Sequence, residues 1–182
     1  MYSNQAIKQD FKNKINIMQT QIELTPGQEK KIALMQHLNE EFFIIESEDG
    51  EVTIYEGNEE EQRELFREDI EGTEEAEIDA NFEIFCINNC TEVEEYDEDD
   101  YNNDYLVLTD EEADEKWEES LDSYLEECIY PELQGNLSNY FDDEKWKRDA
   151  RYDGRGHSLS SYDGDENEEN VNGTTYFIYR IN

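Results

Sequence analysis

The chain has 182 residues, with 51 Asp and Glu against 14 Lys and Arg, and a net charge of -37. That length suits one domain, or one domain with a small helical appendage. The charge argues against direct binding to nucleic acid or an anionic membrane, and no run approaches the roughly 18 apolar residues of a membrane span.

The N-terminus MYSNQAIKQDFKNK lacks the apolar stretch and small-residue cleavage site of a secretion signal, so the expected location is cytosolic. Residues 4–19 place Ile7, Phe11, Ile15 and Met18 at helical spacing, an amphipathic helix. Thr25 before Pro26 starts a second helix, which Ile32, Met35 and Leu38 carry toward Glu41. These two helices form a nearly neutral N-terminal unit.

Phe42 to Glu46 and Val52 to Tyr55, joined at Asp49-Gly50, predict a β-hairpin. Asn58 with Glu61 resembles a capping box for a short helix bearing Leu65, Phe66 and Ile70. A strand is expected at Phe82 to Ile87, then an exposed loop over residues 92–104, EVEEYDEDDYNND.

Tyr105 to Leu108 reads as a strand, and Thr109 with Glu112 forms a capping box for the strongest helix of the chain. Ala113, Trp117, Leu121, Tyr124, Leu125 and Cys128 line one of its faces until Pro131 stops it. Its other faces are crowded with carboxylates. Like charges at i and i+4 cost a few tenths of a kcal/mol per pair, so isolated helix stability does not favour them, and a selected negative surface does.

After a linker at Gln134 to Ser138 come Lys145, Lys147, Arg148, Arg151 and Arg155, the one basic cluster. In this field it is expected to bridge to the protein's own acidic surface rather than to nucleic acid. A closing hairpin is expected from a strand at Gly156 to Tyr162, a polar loop through Gly173, and a strand at Thr174 to Ile181.

The acid is a zone. Residues 38–144 hold 41 of the acidic residues and three of the basic ones, a net of -38, whereas residues 1–37 sum to +2 and residues 145–182 to -1. A compact chain of this length is roughly 40 Å across, and an equal length of duplex DNA carries roughly two dozen phosphate charges. The zone is therefore dense enough to compete with DNA for a cationic groove, which makes DNA-handling proteins its natural targets. Acidic composition also serves solubility, disorder or salt adaptation. Against disorder stand 35% hydrophobic and 12% aromatic residues and only two Pro.

No catalytic motif stands out: there is no nucleophile elbow, phosphate loop or H-E-x-x-H pair. Catalytic residues, cofactors and metals are thus not expected, although clustered carboxylates leave a two-metal nuclease-like site as a remote alternative. Cys86, Cys90 and Cys128 lack the paired spacing of a zinc site, and Cys86 and Cys128 are expected to pack as buried thiols. His157, placed on a strand edge, is expected to be structural. The loop Asp163 to Glu169 alternates like an EF-hand but has Glu168 where Gly is needed and Thr174 where Glu is needed, which argues against a calcium site.

The stretches YLVLTDEEADEKWEESLDSYLEECIYPEL, YFDDEKWKRDARYDGRGHSLSSYDG and YFIYRIN resemble small acidic anti-defence proteins of phages and mobile elements, in particular anti-CRISPR inhibitors of type II RNA-guided nucleases. The resemblance covers roughly residues 104–182. It implies a non-catalytic inhibitor that binds a guide-loaded nuclease in the bacterial host cytosol, often at the basic cleft meant for DNA.

The expected class is α+β: short antiparallel strands and hairpins with several amphipathic helices and a strongly acidic surface. Residues 1–40 would form a helical pair and 41–182 an acidic domain, or one continuous domain with it. The expected partner-binding residues are Asp97, Glu98, Asp99, Asp100 and Asp104 in the loop, with Asp110, Glu111, Asp114, Glu115, Glu118, Glu119, Asp122 and Glu126 on the helix. Reversing Glu115, Glu118, Glu119 and Asp122 together should abolish inhibition and spare the fold. Two alternatives remain, a DNA-mimic anti-restriction protein acting on a restriction-modification complex and an acidic chaperone-like binder of basic proteins.

Overall fold

In a computed structural model, which describes residues 22–47, 49–69, 75–100, 103–133 and 135–182, Thr25 opens the first helix, α1 (Pro26–Leu38). Its hydroxyl accepts from Gln28 N at 3.1 Å, and the Gln28 side chain accepts from Thr25 N at 3.0 Å, so two otherwise orphaned donors are satisfied reciprocally. Asn39, left-handed at φ 59°, ends the helix. The expected helix at residues 4–19 lies outside the described residues, as do Ile70 and Gln134.

The described residues form six α-helices and two small antiparallel sheets, the α+β class expected. The chain divides into two compact units, one running to Asp97 and including Val171–Gly173, the other of Glu98–Asn170 and Thr174–Asn182.

In the first unit, β1 (Phe42–Glu46) and β2 (Val52–Glu56) pair antiparallel, with Ile44 opposite Ile54. Gly50 turns the hairpin at φ 85°, a conformation that costs glycine nothing. Helix α2 (Glu59–Asp69) starts at Asn58, whose side-chain oxygen accepts from Glu60 N at 3.0 Å and Glu61 N at 3.4 Å.

The expected strand at Phe82 to Ile87 is instead part of helix α3 (Glu75–Asn89). Phe82, Phe85 and Cys86 stand at i, i+3 and i+4, and one helical face packs all three against Phe43, Tyr55 and Phe66. Ile84 and Ile87 stay 58% and 63% exposed. A strand would have sent Phe82 and Phe85 to opposite faces.

The segment from Glu92 is less free than expected. Glu92 bridges to Tyr55, Val93 N donates to Ile54 O at 2.8 Å, and Tyr96 N donates to Gly27 O at 3.2 Å. Val93 is buried by this pairing, while the acidic residues 97–100 and Asp104 remain exposed.

In the second unit, β3 (Tyr105–Thr109) pairs antiparallel with β5 (Thr174–Arg180), and β5 pairs with β4 (Asn167–Val171) on its other edge. Thr109 ends β3 and caps helix α4 (Asp110–Tyr124), with Glu112 completing the capping box. Leu106, Leu108, Ala113, Leu159, Phe177 and Tyr179 form the core. A π turn (Leu125–Ile129) and a 3-10 turn (Tyr130–Glu132) follow α4, then a 3-10 segment (Gly135–Tyr140), helix α5 (Asp143–Ala150), a 3-10 turn (Arg151–Asp153) and the short helix α6 (Arg155–Leu159).

Cys128 is exposed rather than packed, as is Tyr124 one turn earlier on the same expected stripe at 52%, so that face is uncovered at this end of the helix. Tyr130 N reaches back five residues to Leu125 O, which closes the π turn.

The expected strand at Gly156 to Tyr162 is α6 and a turn, and the partner of β5 is β4. Asn172 at φ 51° and Gly173 at φ 87° make the β4–β5 turn, an Asn-Gly pair suited to two left-handed residues. His157 is therefore exposed on α6, not on a strand edge.

Candidate functional site

Helix α4 carries its carboxylates in two stripes, because residues four apart share a face. Asp110, Asp114, Glu118 and Asp122 form the first. Glu111, Glu115 and Glu119 form the second, beside it.

The first stripe faces a ladder of cations. Arg155 Nη1 lies 2.8 Å from Asp110 Oδ1 and 3.1 Å from Asp114 Oδ1, and Arg155 Nε lies 3.0 Å from Glu166 Oε2. Arg151 Nε donates to Glu118 Oε1 at 2.9 Å, and its Nη2 also meets that oxygen. Lys147 pairs with Asp122 and lies 3.8 Å from Glu118 Oε2. Lys147, Arg151 and Arg155 are themselves four apart, so α4 and the basic segment run antiparallel with matching spacing.

These are not all loose surface pairs. The side chains of Arg155 and Lys147 are only 12% and 11% exposed, and the Arg155 guanidinium lies over the Phe177 ring, 4.3 Å from its centroid. Burial works against the charge of Arg155, yet the hydrogen bonds it donates to Glu166 and Asp110 more than offset it and hold its pKa above the ordinary value. The hydrogen bond that Lys147 donates to Asp122 raises the pKa of Lys147. Tyr179 OH donates to Glu166 Oε2 at 2.7 Å, which anchors the far end of the network in the core.

Most of the basic cluster thus bridges to the protein's own acid, as expected. Among the described residues Arg148, 62% exposed, pairs with its neighbour Asp149 alone.

The second stripe is different. Glu111, Glu115 and Glu119 are exposed and make no ion pair among the described residues, and the same holds for Glu126 on the π turn. In the loop, Glu98 pairs with Lys116 of α4, and the Asp104 carbonyl accepts from Ile181 N at 2.8 Å. Asp99 and Asp100 are exposed in the same unit, whereas Asp97 belongs to the first unit.

The expected partner-binding set therefore splits. Asp110, Asp114, Glu118 and Asp122 are engaged by the protein's own cations, although Asp110, Asp114 and Asp122 stay 72%, 65% and 60% exposed, while Glu111, Glu115, Glu119 and Glu126 make no ion pair among the described residues. A joint reversal of Glu115, Glu118, Glu119 and Asp122 would break the Lys147 and Arg151 pairs, so it would not separate binding from folding.

Sequence reasoning missed Glu166, which joins Arg155 to Tyr179, because no local spacing marks it. It also missed the pairing of cations with one stripe only. The four-residue spacing of Lys147, Arg151 and Arg155 was the signal available.

Both units are strongly acidic. The first holds 26 Asp and Glu against seven Lys and Arg, a net of -19, and the second 25 against seven, a net of -18. The first unit also has a cavity of about 230 Å³ with Glu51, Glu83 and Glu92 in its wall beside Tyr55 and Cys90. Among the described residues no group of His, Cys, Asp and Glu is arranged to hold a metal ion, and no helix is long and apolar enough to cross a membrane. In the loop resembling an EF-hand, Asp163 Oδ1 is engaged by Ser160 Oγ at 2.6 Å and Asp165 N at 3.0 Å, so it closes its own turn.

No protein-family model matches the chain, and no curated protein or solved structure matches it.

Proposed function

We propose that this protein inhibits a DNA-targeting defence nuclease, acting on a guide-loaded type II RNA-guided nuclease as a DNA mimic in the bacterial cytosol. It works by binding, without turnover. Glu111, Glu115 and Glu119, with Glu126 and the loop carboxylates, stand in for phosphates against arginines of the basic groove that reads the short duplex motif beside the target. Carboxylate-guanidinium contacts of this kind are charge-assisted and often bidentate.

The observation that carries the reading is the unpaired stripe on α4. The second unit commits three of its seven cations, Lys147, Arg151 and Arg155, to one row of acids and leaves the adjacent row without an ion pair among the described residues, on a helix where like charges bring no local stability. A surface kept acidic only for solubility has no need of such order. The anti-CRISPR resemblance of residues 104–182 chooses the nuclease class.

The charge alone serves a restriction-modification complex equally well. Immobilised protein offered both complexes tests the choice, and retention of the guide-loaded nuclease alone is the expected result. Retention of the restriction complex alone would move the target, and indiscriminate capture of basic proteins would favour a chaperone-like role.

A further inference from the structure

The end of α4 and the 3-10 turn beyond it meet α5 and the residues just before it in two aromatic pairs. Tyr124 stacks on Trp146 with ring centroids 5.6 Å apart and planes 8° apart, and Tyr130 meets Phe141 edge-on at 6.4 Å. Tyr130 OH donates to Asp143 Oδ2 at 2.9 Å. These contacts continue the antiparallel ladder in which Lys147 meets Asp122 and Arg151 meets Glu118, so both ring pairs sit at one end of it.

The two tyrosine rings are poorly covered, whereas Trp146 and Phe141 are half-buried. Tyr124 is 52% exposed, Tyr130 38%, and Tyr140, next to Phe141 in the chain, 85%. Exposed aromatic groups gathered in one place mark interaction surfaces more often than isolated ones do, and Tyr and Trp are the residues most enriched among binding hot spots.

The chemistry of the surroundings selects the occupant. Asp143, Asp122 and Glu126 all act on the Tyr130 phenol and, with its hydrogen bond to Asp143 as the first cause, raise its pKa. A nucleic acid or an anionic membrane would be repelled, and a second copy of a chain with a net charge of -37 would bring the same repulsion. A cationic partner meets the ring faces and the carboxylates of Asp143 and Glu126, Asp122 being already paired with Lys147. Arginine suits them better than lysine, because a planar guanidinium stacks on an aromatic face and is weakly hydrated. The protein itself uses this contact, with Arg63 over Phe82, Arg155 over Phe177 and Arg180 over Tyr162.

We propose that the Tyr124–Trp146 and Tyr130–Phe141 pairs form the anchor of the partner-binding surface, where arginine side chains of the basic partner stack on the rings while neighbouring carboxylates neutralise them. This rests on the acidic-surface reading of the proposed function and adds to it a preference for arginine.

The test uses the full chain and two labelled peptides of equal length, one of arginine and one of lysine, titrated at physiological salt. The expected result is about tenfold tighter binding of the arginine peptide, the scale of one hot-spot contact. In Tyr124→Leu with Tyr130→Leu, which keeps apolar bulk but removes the phenol rings, the preference disappears and lysine binding stays unchanged. Far-UV circular dichroism confirms that the variant is folded, and Tyr124→Leu alone, expected to halve the preference or more, replaces it if the pair is not. Equal binding of both peptides by the unaltered chain would overturn the arginine anchor and leave the acidic surface standing. Failure to bind either would overturn both. A concentration-dependent dimer in light scattering that the same substitutions dissolve would also overturn the anchor, by giving the rings to a second copy.

Discussion

Arg155 reaches Asp110 across 45 positions of sequence, its Nη1 lying 2.8 Å from the carboxylate at the first residue of the acidic helix. This contact ties the N-terminal turn of α4 to α6. It also shows how a chain dominated by acid keeps two of its own elements together: a nearly buried cation sits where carboxylates converge.

Replacing Arg155 by Met keeps the aliphatic bulk and removes the charge. The expected loss is about 2 kcal/mol, near that of one hydrogen bond to a charged group, because two of its three carboxylate partners are largely exposed and solvent screens them. Arg148→Met, at an exposed pair, should change stability by less than about 0.5 kcal/mol. Urea unfolding of the two variants gives the comparison, and equal losses would contradict the distinction between them.

Neutralising the exposed stripe with Glu111→Gln, Glu115→Gln and Glu119→Gln should leave stability unchanged or slightly higher, because like charges four apart are removed. The same number of substitutions at Asp114→Asn, Glu118→Gln and Asp122→Asn should lower the melting temperature by several degrees by releasing Lys147, Arg151 and one contact of Arg155. Thermal melts of both triple variants separate the stripes.

Stability should fall in alkali. Burial, followed by the neighbouring Cys90, pushes the Cys86 thiol up to about 12 from an ordinary value near 9. Burial also raises the phenols of Tyr55 and Tyr179, the latter with help from its bond to Glu166. Each group keeps its proton longer when folded than when unfolded. The stabilisation is thus complete below about 9 and is lost as pH rises toward about 12. Melting temperatures should decline steadily from pH 9 upward, and Tyr179→Phe should make the decline shallower. A flat profile would contradict the linkage.

Gly156 is required by packing rather than by its backbone angles. A Cβ added there would lie 2.5 Å from the Gly164 carbonyl oxygen, and backbone cannot swing aside as a side chain can. Gly156→Ala should therefore cost about 1 to 3 kcal/mol. Calorimetry should show the loss, whereas Gly154→Ala, where a Cβ meets open space, is strained only by its φ of 83°.

Much of the local structure was legible because short-range chemistry decided it. Thr109 with Glu112, Thr25 with Pro26, and Asp49-Gly50 each fix an element end through groups three residues apart or fewer, and all three stand as expected. Phe82 to Ile87 was not legible. Its apolar run is too short for periodicity to separate strand from helix, and the deciding fact is tertiary: Phe66, Phe43 and Tyr55 supply one surface that Phe82, Phe85 and Cys86 cover together only as a helix.

The end of the chain failed for a related reason. The partner of β5 is set by the Asn172-Gly173 turn, not by the longer loop from Gly156. For the site, acidic residues on α4 were plain in sequence, but which of them are paired depended on the register of Lys147, Arg151 and Arg155 against the helix. Composition counts charges without pairing them.

The most direct test titrates the protein into cleavage of a labelled target by a guide-loaded type II nuclease, with DNA binding followed in the same tubes. The account predicts that cleavage and DNA binding both stop near one protein per nuclease, and that the Glu111→Gln, Glu115→Gln, Glu119→Gln variant, still folded, fails to stop either. Undiminished cleavage at excess protein, or full potency in that variant, would contradict it.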